Sequence, residues 1–241
     1  MVYLPDINSS FIASPPATMS ASYVVIGTPF STFTRTIASA LHYKGIPFEQ
    51  EPTVPHSELA RRHHVCGFLP SLVITEGDET FSLGETQAIA RYIDRVAPLP
   101  SLVDATQLRL PEKLWELVSI IAGYGFKSVE VGVVKPRLKS IDEGKESTDT
   151  CRAYLESSGG IQDLRTFFER LEKIKAEDGP YLLGKSPTWP DFFLYPLVAD
   201  LLATPDADLA PQSILVWFEG MESVKGIKET RKGTLADGGR P

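Results

Sequence analysis

Apolar and polar positions follow two different periods along the first hundred residues. Tyr23-Val24-Val25-Ile26 is a continuous apolar run of strand length. Phe33, Ile37, Ala40 and Leu41 then recur at three-to-four-residue spacing, which predicts a helix with one apolar face, ended by Gly45 and Pro47. Residues 48–52 read as a second strand, and residues 56–64 as a polar, helix-permissive stretch. Residues 71–75 and 79–83 read as short strands, and Glu76-Gly77-Asp78 between them predicts a tight antiparallel hairpin. Helical spacing returns over residues 85–96, with Ile89, Tyr92, Ile93 and Val96 on one face. The order β-α-β-α-β-β-α predicts a mixed sheet with helices on both faces.

Pro98 and Pro100 mark a linker, after which the strand signal nearly vanishes. Residues 111–134 are helical in composition, weakened locally by Gly123, Gly125 and a cluster of valines. Residues 161–176, 192–202 and 214–224 complete an all-helical second half. The pattern predicts two domains, over residues 22–98 and 105–235, behind a flexible Ser-, Pro- and Ala-rich extension over residues 1–21.

Chemistry concentrates where these elements begin. Thr28-Pro29-Phe30-Ser31, between the first strand and first helix, has the spacing of a C-x-x-C redox turn with hydroxyls in place of sulfurs. Such a turn cannot cycle through a disulfide, so it points to binding of a thiol that a ligand supplies. Gly67-Phe68-Leu69-Pro70 places a proline directly before an apolar strand, where it marks an edge, a strand start or a turn. Glu85-Thr86 opens a helix; Thr86 and free backbone N–H groups suit a carboxylate, and Glu85 an ammonium. Taken alone, Thr86 reads as an ordinary helix cap. Thr188 and Asp191 stand three apart as in a capping box, a folding device.

These four motifs stand in the order and spacing seen in cytosolic glutathione transferases, and the chain from about residue 23 to 235 resembles that family. The resemblance implies an α/β thioredoxin-like N-terminal domain, an all-α C-terminal domain and a homodimer. It implies a cis peptide before Pro70, with Leu69 pairing with the cysteinyl backbone of glutathione and Glu85 and Thr86 holding its γ-glutamyl end. Thr28 takes the position of the activating hydroxyl, with Ser31 as the alternative. His56 falls near a residue that contacts the glycyl carboxylate. Phe30, Tyr124 and Phe126 would border a pocket for a small hydrophobic electrophile.

The implied activity is conjugation of the glutathione thiolate, with no metal. A zeta-like or fungal-type member catalysing glutathione-dependent isomerisation or another pathway step, and a non-catalytic glutathione-binding protein, are alternatives. Arg35 reads as a surface or interdomain ion-pair residue, His63 and His64 as solvated loop residues, and Cys66 as packed or a bystander.

Bulk composition narrows the surroundings. Of the 241 residues, 42% are hydrophobic and 23% charged, in the range of ordinary globular proteins. A net charge of −7 without any basic stripe argues against a nucleic-acid surface. Cys66 and Cys151 lack metal spacing, and a structural disulfide between them is not expected. No uninterrupted apolar run reaches the roughly 18–20 residues of a membrane span. The first twenty residues lack the basic and apolar regions of a secretory signal, so a cytoplasmic location is expected.

Overall fold

A computed structural model describes residues 21–104, 108–144, 147–176 and 178–239. Residues 1–20 of the expected extension lie outside the described residues. The first half comprises β1 (Ser22–Ile26), α1 (Thr32–Lys44), β2 (Glu49–Glu51), α2 (Glu58–His63), β3 (Ser71–Glu76), β4 (Glu79–Leu83) and α3 (Thr86–Val96). The strands lie in the order β2-β1-β3-β4. β1 runs parallel to β2, while β3 is antiparallel to both β1 and β4. This is the mixed sheet that the alternating periods predict, with the thioredoxin-like arrangement that the resemblance implies. Val25, Leu72 and Ile74 are buried with Ile37 and Leu41 of α1 and Ile89 and Ile93 of α3. Gly45 ends α1 in the left-handed region, where its N–H reaches the His42 and Leu41 carbonyls.

The second half is helical: α4 (Glu112–Glu143), α5 (Thr148–Ser157), α6 (Gly160–Ile174), α7 (Trp189–Leu202) and α8 (Gln212–Met221). α4 runs nine residues past the expected end, and α5 was not expected; its polar composition carries no apolar stripe strong enough to announce it. Between Ile121 and Val134 most of α4 is wound as π-helix, a rare form that recurs at functional sites.

By length and composition α4 could cross a membrane, which overturns the expectation that no stretch is long enough. Lys127 and Glu130 interrupt the apolar run in the sequence, but one continuous helix carries them both. Its buried positions, including Val118, Ile121, Val129 and Val133, belong to the core shared with α6 and α7. Close approach to α6 depends on glycine, since a Cβ at Gly160 would stand 2.3 Å from the Gly132 carbonyl oxygen.

α7 is buried on nearly every side, as a central helix must be. It joins the two halves. The Thr36 hydroxyl donates to the Phe192 carbonyl at 3.2 Å, and Arg35 is ion-paired with Asp200. Trp189 Nε1 donates to Asp94, which also meets Lys44 Nζ at 2.9 Å. Arg35 is therefore interdomain and fully enclosed, not a surface residue.

Candidate functional site

A cavity of about 1100 Å³ opens between the sheet domain and α4. Thr28, Phe30, Ser31, His56, Leu69, Pro70, Glu85, Thr86 and Phe126 all line it, although the chain separates them by as much as a hundred residues. Tyr124 does not; it is 67% exposed and points away. The reason is rotational, because Gly123 and Phe126 line the cavity and Tyr124, one position past Gly123, is carried round the helix toward solvent.

The turn before α1 presents two hydroxyls. Thr28 Oγ1 accepts from the Phe30 N–H at 3.3 Å, and Ser31 Oγ accepts from the Thr34 N–H at 3.4 Å. Ser31 is the N-cap of α1. Thr28 lies outside the helix, so its hydroxyl carries no capping duty. Each hydroxyl uses a lone pair in these contacts and retains an O–H to donate.

At the neighbouring strand β3 the Leu69–Pro70 peptide is cis, as the resemblance implies. Glu85, not Thr86, occupies the N-cap of α3, and its side chain makes no capping bond. Thr86 is therefore the first helical residue, which corrects its reading as a cap. Glu85 adopts φ 65°, uncommon for a residue with a Cβ and characteristic of sites where backbone strain serves a ligand. The first turn of the eleven-residue α3 thus faces the cavity with N–H groups that no side chain caps.

Sequence reasoning passed over His64. It is buried, lines the cavity and is not a solvated loop residue. The Cys66 N–H donates to His64 Nδ1 at 3.0 Å, which leaves the ring proton on Nε2, 3.4 Å from Glu85 Oε1. A Cβ at Gly84 would stand 2.5 Å from this ring, so glycine there admits the histidine. His56 is held differently: its Nδ1 lies 3.1 Å from the Cys66 carbonyl, and its ring meets Phe68 edge-on. Cys66 itself is exposed rather than packed.

The wall toward the helical half is aromatic. Phe33 stacks on Phe126 with ring centroids 5.1 Å apart, and Phe193 lies 6.3 Å from Phe33. Lys135 Nζ sits 4.9 Å over the Phe126 ring.

Two models of one family match the chain: the glutathione S-transferase N-terminal domain over residues 25–101 and the glutathione S-transferase C-terminal domain over residues 140–224. The chain belongs to the glutathione S-transferase family. Among solved structures, glutathione transferase F7 from Populus trichocarpa superposes with a TM-score of 0.69 at 20% identity, covering 86% of this chain and 97% of that one. A glutathione S-transferase-I bound with lactoylglutathione gives 0.67 at 18% identity, with 87% and 98% covered. FzlA from C. crescentus gives 0.70 at 18%, with 87% and 91% covered. At such identities these likenesses show the fold. No curated protein sequence matches the chain.

Two further residues of this transferase-family cavity were missed, although each is a lone acid in an apolar run. Glu130 and Asp200 line the cavity while only 5% and 3% exposed. Burial, and then the neighbouring Asp200 carboxylate, push the Glu130 carboxyl up to about 8, against opposing pulls from Arg35 and Lys135. Burial likewise raises Asp200, against the Arg35 guanidinium. Glu130 therefore holds its proton in the fold from pH 4.5 to about 8, whereas the unfolded chain releases it. Stability contributed by this group is complete at low pH and is lost as pH climbs through that window. Glu130→Gln removes the titration, so its melting temperature relative to the parent should rise between pH 5 and pH 9. A difference independent of pH, followed by calorimetry, would contradict this.

Proposed function

We propose that the protein is a glutathione transferase that conjugates the glutathione thiolate to small hydrophobic electrophiles. One observation carries this reading: a hydroxyl turn, a Leu-Pro segment, an uncapped helix start and an aromatic wall line a single cavity. In it the α-carboxylate of the γ-glutamyl group meets the N–H groups at the start of α3 and the Thr86 hydroxyl. Its ammonium meets Glu85, whose carboxylate lies 3.4 Å from His64 Nε2. The Leu69 backbone pairs with the cysteinyl residue, and His56 stands at the glycyl end.

The sulfur then lies before α1. A free thiol ionises near pH 8.5, and moving that down by about two units needs roughly 2.7 kcal/mol of preference for the thiolate. A hydrogen bond to a charged group contributes about 1.5–3 kcal/mol, and a helix N-terminus about 0.3–1 kcal/mol. Thr28 and the start of α1 together suffice without a general base. The thiolate attacks an electrophile held against Phe33 and Phe126.

A ligand present at a hundred times its dissociation constant stabilises the fold by about 2.7 kcal/mol. Saturating glutathione is therefore expected to raise the melting temperature by several degrees, with turnover of 1-chloro-2,4-dinitrobenzene in the same preparation. An unmoved melting temperature would sink the binding reading. Binding without turnover of any electrophile in a broad panel would sink the catalytic one.

A further inference from the structure

One buried wall of the cavity is polar where a purely apolar ligand would need it to be apolar. Glu130 from α4 and Asp200 from α7 face each other there, and Arg35 from α1 holds Asp200 from behind. Glu130 Oε1 and Asp200 Oδ1 are buried, and no N–H or O–H group of another described residue donates to either. Two carboxyls side by side, each with an unpartnered oxygen, cannot both stay ionised, and burial beside Asp200 keeps the proton on Glu130. Lys135 is the remaining charged group that acts on Glu130. This inventory discriminates among ligands. A cation would meet Lys135 and the Glu130 proton, an anion would meet Asp200, and a hydrocarbon would seal polar atoms beneath apolar surface. A neutral group that accepts one hydrogen bond avoids all three costs.

We propose that Glu130 is the hydrogen-bond donor of a subsite for neutral ligands with a carbonyl oxygen on an apolar body. The oxygen accepts a hydrogen bond from Glu130, Asp200 keeps its ion pair with Arg35, and Phe33 and Phe126 cover the apolar body. This deepens the reading of the cavity as an electrophile pocket by naming the polar feature its second ligand carries.

The test uses the full chain without glutathione and two unreactive probes, 4-phenylbutan-2-one and butylbenzene, titrated by calorimetry at pH 6.5 and pH 9.5. The ratio of ketone to hydrocarbon affinity should fall about three- to tenfold from the lower to the higher pH, the worth of one net hydrogen bond. Glu130→Leu should show the low ratio at both values. Glu130→Gln, whose amide still donates, should keep the higher ratio and lose the pH dependence. A parent ratio that does not change with pH, a Glu130→Gln ratio that falls like the parent's, or failure of both probes to bind overturns the proposal. Failure of the glutathione reading registers separately, in the melting experiment with the tripeptide.

Discussion

Asp191→Ala is expected to lose at least about 3 kcal/mol of folding free energy, read as a lower urea midpoint at unchanged slope. The sequence places Asp191 in a capping box, and loss of a cap alone costs about 0.5–2 kcal/mol. The fold asks more of it. The carboxylate is fully buried and accepts from the Thr188 N–H and the Leu182 N–H, each at 2.8 Å. It also accepts from the Thr188 hydroxyl at 2.9 Å and from Trp217 Nε1 at 2.8 Å. Truncation to alanine leaves those donors unsatisfied inside the helical core, and buried orphan donors cost about 1–3 kcal/mol apiece. It also unlatches α8 and the segment before α7 from the start of the central helix. Asn at this position keeps one accepting oxygen, so Asp191→Asn should fall between the two. A loss confined to the cap range would mean that the Leu182 and Trp217 bonds contribute nothing.

Thr28→Val should lower kcat/KM for glutathione conjugation at pH 6.5 by about ten- to a hundredfold, the loss of one hydrogen bond to a charged sulfur. The deficit should shrink as pH rises, because above its own ionisation the thiol needs no help; the apparent pKa for turnover should move up by about one to two units. Valine keeps the shape of threonine, and Thr28 does not cap α1, so the melting temperature should change little. Ser31→Ala should do the reverse. It removes the N-cap that accepts from the Thr34 N–H, which costs about 1 kcal/mol of stability. Unimpaired turnover in Thr28→Val, with collapse in Ser31→Ala, would transfer the activating role to Ser31.

The site was legible where a motif is local. The hydroxyl turn, the proline before β3 and the Glu-Thr start of α3 each sit at an element boundary that apolar periodicity marks, and all three line the cavity. Tyr124 fails for the converse reason. Its aromatic type and its place on the long helix fitted, but its exposure is set by how α4 winds between Ile121 and Val134. His64 was invisible because its role depends on Glu85, twenty-one residues on, coming within 3.4 Å of it, with Gly84 leaving room. Glu130 did leave a trace, as the single acid among Val129, Val131, Val133 and Val134. A charge in such a run is buried with a partner or faces a cavity, and the sequence does not say which.

The sequence by itself determined most of the elements, the two-part architecture and the turn chemistry, because hydrophobic period, caps and breakers act over a few residues. Only the tertiary structure decided which side chains meet. Arg35, Glu130 and Asp200 come from three elements far apart in the chain, and their convergence depends on how α1 and α4 pack against α7. Periodicity tells which face of a helix is apolar. It carries no information on what that face will press against, and the buried charges of this cavity take their chemistry from that contact.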